Sequence, residues 1–344
     1  MKRTFISVTS LPYSLPIRKG NKDARLICKQ NILLGDEGTP EVHASTLLPL
    51  ENGRILAAWF GGTEEKHPDV RIWYSIRDEY GYWAKPLSIP SEENVAHWNP
   101  VLDRKNDGSI RLYFKKGAVI PDWQTFYCDS FDEGKTFSQP KELVPDDVSG
   151  GRGPVKNKCL RTKSGLLLAP ASNEQNKDWR VFIDVSHDDG DTWQRGDYIE
   201  MTNGRGKHVK AIQPTLWETF EQVHFMCRTK GGFIYRSDSD DGGLTWCAGY
   251  RTPVVNNNSG IDCARSDDGR LWLLCNPISD PSLRSPLRML MSVNNGRSWR
   301  AMLDLETERH GEFSYPAIVC KGNKLYCTYT NDRKNITFAE IEIS

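Results

Sequence analysis

The sequence has no long apolar run and no excess of charge of either sign, and both absences narrow what the chain can be. Its first twenty residues include basic side chains, but Thr, Ser and Pro interrupt them before an apolar core of signal-peptide length can form. No other stretch approaches the roughly 20 apolar residues of a membrane-spanning helix. Basic and acidic residues number 45 each, so no overall field attracts nucleic acid or an anionic membrane. Recognition of an anion must therefore be local.

Paired cysteine motifs are also missing. The nine cysteines are scattered without a CxxC pair, and several lie inside apparent strands: Cys227, Cys275, Cys320 and Cys327. This usage favours reduced core residues in a cytoplasmic protein. The seven histidines show no metal-ligand spacing, and the chain has no phosphate loop, nucleotide fingerprint or basic stripe. We therefore expect no metal, no cofactor and no nucleic-acid partner.

A repeat is the strongest positive signal. The pattern Ser-x-Asp-x-Gly-x-Thr-aromatic occurs as SFDEGKTF, SHDDGDTW and SDDGGLTW, with an altered copy SVNNGRSW and a decayed copy SIRDEYGYW. The leading serines, at 75, 130, 186, 239 and 292, are 55, 56, 53 and 53 residues apart. Short β-rich runs with polar turns recur in each unit, which is typical of propeller blades. The sequence predicts an all-β, six-bladed propeller with Asp-box repeats and little helix.

One domain accounts for residues 1–344. Five boxes mark five blades, and residues 314–344 supply the inner strands of a sixth. We expect residues 25–34 to complete that last blade and residues 1–24 to form an N-terminal extension. The Asp boxes themselves fit tight turns, in which the Asp accepts backbone N–H groups and Gly adopts a conformation closed to other residues. They predict architecture and carry no chemistry.

Loops at one end of a propeller axis converge on a common cavity, so residues that open the first strand or close the second strand of a blade are site candidates. Many are polar, which suits a sugar. The first group is His43, Asn99, Lys156, Asn157, Gln213, Asp262 and Tyr315; the second is Trp59, Lys115, Lys116, residues 172–174, Arg228, Asn276 and Asn331.

From about Glu41 onwards, the chain resembles the sialidase superfamily, especially its bacterial Asp-box branch of predicted neuraminidases. The family binds a substrate carboxylate with three arginines, uses a Glu-activated Tyr as nucleophile and an Asp on a first-blade loop as general acid. Arg228 in HFMCRTKGG and Arg288 in PLRMLMSVNNG match two arginines, and Tyr315 in EFSYPAIV matches the nucleophile. The loop GGTEEKHPDVRIWYS offers Asp69 as the acid, with Glu64 and Glu65 as rivals.

Two positions depart from the family pattern. His43, in VHASTLLPL, replaces the first arginine, and Gln213, in AIQPTLW, replaces the activating glutamate. Gln cannot accept a proton, so the usual route to a tyrosinate is missing. His43 supplies a titratable group instead, and it forms a proton-abstracting pair with Tyr315 if the two face each other across the axis.

The resemblance implies an exo-acting, sialidase-like glycoside hydrolase that releases a terminal sialic or uronic sugar from a glycan. Two alternatives stay open. One is an exo-lyase of the same fold that acts on a uronic acid, such as a rhamnosyl-glucuronate, with a His/Tyr pair. The other is a propeller that binds glycans without catalysis, because fold alone supplies no activity.

Overall fold

The computed structural model describes residues 23–34 and 38–344, which form six four-stranded antiparallel sheets arranged as the blades of a propeller. Strands β1 to β24 are numbered along the chain. From the innermost strand outwards, blade 1 contains Glu41–Pro49, Ile55–Gly62, Arg71–Arg77 and Leu87–Ser88 (β2 to β5), and blade 2 contains His97–Arg104, Ile110–Lys116, Gln124–Ser130 and Lys141–Glu142 (β6 to β9). Blade 3 contains Leu160–Arg161, Leu167–Asn173, Arg180–Ser186 and Gln194–Arg195 (β10 to β13), and blade 4 contains Ala211–Glu218, Val223–Thr229, Phe233–Ser239 and Tyr250–Val255 (β14 to β17). Blade 5 contains Asp262–Arg265, Leu271–Cys275, Leu287–Ser292 and Arg300–Glu306 (β18 to β21).

The last blade joins the two ends of the chain. Its inner strands are Phe313–Lys321, Lys324–Asn331 and Asn335–Ile343 (β22 to β24), and its outermost strand is Ala24–Asn31 (β1). Ala24 pairs with Ile343 and Asn31 with Thr337 in an antiparallel register. The ring is thus closed by a strand from one end of the chain and three from the other.

Helix is scarce, as the sequence predicts. The helical elements within the described residues are three single 3₁₀ turns, at Glu51–Gly53, Ile120–Asp122 and Gln175–Lys177. The prediction of an all-β, six-bladed Asp-box propeller is confirmed.

Six buried hydrophobic clusters hold the described blades together, one at each interface between neighbours. The cluster between blades 1 and 2, for example, packs Phe60 and Ile72 against Trp98 and Phe114. These are aromatic and β-branched residues, which favour strands and interlock well between stacked sheets. Packing between blades therefore fixes where the inner strands meet around the axis.

Each Asp box is a turn held by its own side chains. In the blade 3 box, Asp188 accepts hydrogen bonds from the backbone N and the hydroxyl of Thr192 at 2.8 and 2.6 Å, and the Ser186 hydroxyl accepts from the Gly190 N–H. Partial burial would raise the pKa of Asp188, but these hydrogen bonds lower it to about 2. The carboxylate is therefore committed to the turn, which supports a structural role for the boxes.

The inner segments share an irregular backbone position. Five non-glycine residues there have positive φ, close to +44° to +69°: Ala44, Asn99, Lys156, Gln213 and Tyr315. Strand register shifts at four of them, which marks β-bulges. A left-handed conformation costs such residues about 1 to 3 kcal/mol each, so the surrounding contacts must impose it. Four of these five positions are sequence-predicted site residues.

Candidate functional site

His43 and Tyr315 lie side by side where blade 1 meets blade 6. Their ring centroids are 4.3 Å apart and the rings are tilted by 53°. Phe60 packs its edge against His43 from another direction, at 5.5 Å. Within the part of the chain that the structure describes, His43 Nδ1 is buried and has no hydrogen-bond partner. The structure thus brings together the pair that the sequence suggested.

Arg228 completes this pair from blade 4. It lies near the end of β15, and its Nη2 donates to the Tyr315 hydroxyl at 3.3 Å. The guanidinium carbon is 5.3 Å from the Tyr315 ring centroid, in cation–π range. Nη1 donates to the carbonyl of Asn258 at 3.0 Å, which orients the group. Arg228 is therefore placed as the sequence predicts.

Two further arginines surround the pair. Arg284 lies on the loop between β19 and β20, and Arg333 lies in the hairpin between β23 and β24. Burial lowers the pKa of His43 well below its usual value, and the charges of Arg333, Arg228, Arg284 and Lys156 lower it further. His43 is consequently neutral at neutral pH, and cations face it from several blades.

The guanidiniums of Arg228, Arg284 and Arg333 differ in whether a carboxylate neutralises their charge. Arg333 forms ion pairs with Glu65 at 2.6 Å and Glu312 at 3.1 Å. Arg284 donates only to the carbonyls of Pro281 and Leu283, and neither Arg284 nor Arg228 forms an ion pair with a carboxylate among the described residues.

Burial lowers the pKa of Arg284, and its neighbour Arg228 lowers it further. The charge of Glu312 opposes this shift, but Glu312 forms no ion pair with Arg284 among the described residues. Two neighbouring guanidiniums without a paired carboxylate form a site that favours an anion, because an anion relieves their mutual repulsion.

Arg288 does not belong to this site. It lies on β20, where its Nε and Nη2 donate to the two oxygens of Asp304 at 2.5 and 2.9 Å, and both side chains are buried. This bidentate pair ties β20 to the outermost strand β21. The assignment of Arg288 to the substrate is corrected: Arg284, four residues earlier, faces His43 instead.

Two other sequence candidates have structural surroundings. Trp59 is 1% exposed and packs in the hydrophobic cluster between blades 6 and 1. Asp262 is buried and accepts hydrogen bonds from Lys158, Thr215 and the backbone N–H of Ile318. Asp262 thereby links inner strands of several blades. Both assignments to substrate binding are corrected, since the Trp59 ring is buried in the core and the Asp262 carboxylate is occupied by protein donors.

Lys156 and Asn157 hydrogen-bond to the inner segments of three other blades, including the one that carries Tyr315. The Lys156 ammonium donates to Asn157 Oδ1 and to the carbonyls of Ile261 and Pro316, and Asn157 Nδ2 donates to the carbonyls of Gln213 and Pro214. Burial lowers the pKa of Lys156 to about 7, while Asp262 opposes the shift. These side chains position inner strands, and their polar atoms are already engaged.

Gln213 and Asn99 are buried at the left-handed positions of blades 4 and 2. The backbone N–H of Gln213 donates to the Ser172 hydroxyl at 3.3 Å. Its Oε1 is buried and lacks a hydrogen-bond partner among residues 23–34 and 38–344. The amide can orient a neighbour or a ligand but cannot take a proton.

Asp69 holds its own loop together. It accepts hydrogen bonds from the backbone N and the hydroxyl of Thr63 at 3.0 and 2.6 Å, and it lies 2.8 Å from His67 Nδ1. Slight burial would raise the pKa of Asp69, but these hydrogen bonds and the charge of His67 lower it. Asp69 is therefore ionised, exposed and committed to the loop, and its assignment as the acid is corrected.

Glu65, one of the rivals to Asp69, is engaged in an ion pair with Arg333 at 2.6 Å.

An open cavity of about 520 Å³ adjoins the site. Arg284, Glu312, Ser282 and His310 contribute to its lining. Arg284, whose charge also acts on His43, is the residue that this cavity shares with the site.

The described residues contain no group of three or more His, Cys, Asp or Glu side chains placed to bind a metal ion. All nine cysteines are free thiols. No helix in residues 23–34 or 38–344 has the length and apolar character to span a bilayer.

The fold and the arginines around His43 and Tyr315 define an Asp-box β-propeller with a basic, tyrosine-containing site. A family model described as the BNR repeat-like domain matches residues 53–327, and the chain belongs to this family. No curated protein sequence matches the chain.

Solved structures support the same fold. A protein of unknown function from Dyadobacter fermentans DSM 18053 superposes with a TM-score of 0.76 at 17% identity, covering 94% of this chain and 100% of that one. The Hadza microbial sialidase Hz136 gives 0.76 at 15% identity, covering 91% and 68%. Trypanosoma rangeli sialidase in complex with the inhibitor DANA gives 0.66 at 13% identity, covering 87% and 55%, so this chain spans about half of that protein. At these identities the likeness shows the fold alone.

Proposed function

We propose that the protein is an exo-acting glycoside hydrolase that removes a terminal sugar bearing a carboxylate, sialic or uronic, from a glycan. The observation that carries the proposal is the placement of Arg228 and Arg284, both without an ion pair among the described residues, beside His43 and Tyr315. The guanidiniums bind the sugar carboxylate, and the tyrosine lies beside the sugar ring that they hold. The sialidase structures with the same fold are consistent with such a ligand.

Tyr315 acts as the nucleophile in this proposal. A neutral hydroxyl approaches an anionic sugar without the repulsion that a carboxylate nucleophile meets. His43 accepts the tyrosine proton, since its imidazole is neutral and retains a lone pair. This role replaces the base that Gln213 cannot provide. Arg228, which donates to the tyrosine oxygen, stabilises the negative charge that develops there.

A lyase is the second candidate, and the same pair favours it. Elimination from a uronic acid needs a base beside C5, an acid at the leaving oxygen and a cation on the carboxylate. His43, Tyr315 and Arg228 provide these three groups within one contact set.

One assay separates the candidates. The protein is incubated with sialosides, uronides and rhamnosyl-glucuronides, while reducing sugar and the ultraviolet absorbance of a new C4–C5 double bond are followed. Reducing sugar without absorbance supports hydrolysis, and absorbance supports the lyase. Binding without either product, equally in wild type and Tyr315→Phe, contradicts both and leaves a glycan-binding propeller.

A further inference from the structure

A glycosidase needs a proton donor for the leaving oxygen, and most carboxylates near the site are already engaged. Asp69 is bound by Thr63 and is ionised, while Glu65 and Glu312 are held by Arg333. None of these three can readily supply a proton to a substrate. Glu64, the remaining rival on that loop, is exposed to solvent. A general acid has to be unpaired and protonated, so a partly buried, unpaired carboxyl suits the role better.

Glu174 meets this requirement by its position. It directly follows β11, the second strand of blade 3, just as Arg228 lies near the end of the second strand of blade 4. The Ser172 hydroxyl accepts the backbone N–H of Gln213, which joins this end of β11 to the opening of blade 4. Arg228, next to Tyr315, and Lys230 are the charged groups that act on the Glu174 carboxyl. By strand position Glu174 thus lies on the same side of the ring as Arg228, whose guanidinium contacts Tyr315.

The carboxyl of Glu174 is also uncommitted. Among the residues that the structure describes, it takes part in no hydrogen bond or ion pair, although the side chain is partly buried. Burial raises the pKa of Glu174 above its usual value, and the charges of Arg228 and Lys230 only partly oppose this. A partly buried carboxyl with a raised pKa remains protonated closer to neutral pH, as a general acid requires.

We propose that Glu174 is the general acid of this site, an inference that rests on the proposed glycosidase function. In the first step Tyr315 Oη forms a bond to the anomeric carbon and passes its proton to His43. The bond between that carbon and the glycosidic oxygen breaks, and the Glu174 proton moves to this oxygen. In the second step the Glu174 carboxylate takes a proton from water as the water oxygen attacks the anomeric carbon. The tyrosine leaves and regains its proton from His43, which restores every group.

Leaving-group dependence tests the assignment. Wild type and Glu174→Gln are compared on the 4-nitrophenyl and methyl glycosides of N-acetylneuraminic acid and of glucuronic acid. We expect the variant to lose about 100-fold or more in kcat/KM on the methyl glycoside, because general acid catalysis typically contributes about 10² to 10⁴. On the 4-nitrophenyl glycoside, whose leaving group needs no proton, the loss should be far smaller. The fall in wild-type rate as pH rises through the raised pKa of Glu174 should disappear in the variant.

Glu142→Gln is the matched control. Glu142 lies on β9 at the outer edge of blade 2, and its pKa is also raised by burial, with contributions from Asp146 and Asp147. The Glu142→Gln substitution should leave kcat/KM on both glycosides and the pH profile unchanged. If Glu174→Gln is folded by thermal unfolding but slows both glycosides equally, or neither, the acid is another group. Sodium azide provides a second readout, since it should restore activity and yield a glycosyl azide with Glu174→Ala on the nitrophenyl substrate.

The two proposals fail in different ways. If wild type cleaves none of the four glycosides, the hydrolase proposal and the role of Glu174 fall together. If wild type cleaves them and Glu174→Gln behaves as Glu142→Gln does, only the assignment of Glu174 is overturned.

Discussion

Arg284 and Arg288 show how the surroundings of a side chain decide its role at the scale of single residues. They are four residues apart, and only Arg288 lies within a regular strand, where Asp304 of the adjacent strand neutralises it. Arg284 lies on the preceding loop and donates only to nearby carbonyls. The first residue is therefore available for a ligand, and the second stabilises blade 5.

Substituting the two arginines should separate binding from stability. Arg284→Ala should weaken binding of the carboxylated sugar about 10- to 100-fold, since a hydrogen bond to a charged group contributes about 1.5 to 3 kcal/mol. Arg288→Ala should lower the free energy of unfolding by about 3 to 5 kcal/mol, because the buried Asp304 loses its bidentate guanidinium. Calorimetric titration and chemical denaturation measure the two effects. The opposite pattern would return Arg288 to the site.

His97 should make the protein sensitive to acid. It is fully buried on β6, and neither ring nitrogen has a hydrogen-bond partner among the described residues. Burial, together with the charges of Lys116 and Arg71, lowers its pKa to about 3. Between pH 6.5 and about 3, His97 is protonated in the unfolded chain but neutral in the folded protein. The free energy of unfolding therefore falls as pH falls through that window.

We expect His97→Phe, which keeps a ring beside Phe114, to reduce the slope of unfolding free energy against pH in this window. One proton difference contributes about 1.4 kcal/mol per pH unit. Denaturant unfolding at several pH values from 7 to 4 measures the slope. An unchanged slope would show that acid sensitivity arises from other groups.

At the scale of elements, the Asp box of one blade packs on the second strand of its neighbour. Gly243 in the blade 4 box has φ of +100°, and a Cβ there would lie 2.4 Å from Leu168 Cδ1 on β11. Leu168 is fully buried in the cluster between blades 3 and 4. The glycine is therefore required both by the turn and by the closeness of the two blades.

A pair of alanine substitutions isolates this contact. Gly232 also has positive φ, at +77°, but a Cβ there meets nothing within 4 Å among the described residues. Gly232→Ala should cost only backbone strain, of order 1 kcal/mol. Gly243→Ala should cost about 1 to 3 kcal/mol more, from overpacking against Leu168. Equal losses in chemical denaturation would show that the turn, and not the blade contact, requires the glycine.

The repeat made the architecture predictable, because the spacing of the Asp boxes counts the blades directly. The ends of the first and second strands of the predicted blades, together with the resemblance to sialidases, pointed to Tyr315, His43 and Arg228, which the structure brings together. The sequence did not predict Arg284 and Arg333 as site residues, because they lie on a loop and in a hairpin, where the direction of a side chain depends on local backbone angles. Arg333, for instance, has φ of +55° and follows another left-handed residue. The serine spacing carries no information about such turns.

Closure of the ring is a property of the whole molecule. Strand β1 pairs with β24 along nearly its full length, so the two ends of the chain share one sheet. Leu26 packs from β1 onto the cluster between blades 5 and 6, whereas its neighbour Ile27 is 43% exposed. The register shifts between Leu26 and Cys28, so Ile27 lies at a β-bulge. Burial shows directly that Leu26 points into the cluster and Ile27 towards solvent. They therefore test whether β1 stabilises the ring through packing.

We expect Leu26→Asp to lower the midpoint of thermal unfolding of the entire propeller, because a charge placed against the Leu26 cluster must be desolvated. Ile27→Asp introduces the same charge on the same strand but points it towards water, and should change the midpoint little. Since blades 5 and 6 share the Leu26 cluster, the loss should appear as one earlier cooperative transition, followed by calorimetry and by tryptophan fluorescence. Equal effects of the two substitutions would mean that β1 closes the ring by backbone pairing alone. A separate early transition in only one probe would mean that blade 6 unfolds independently of the other five.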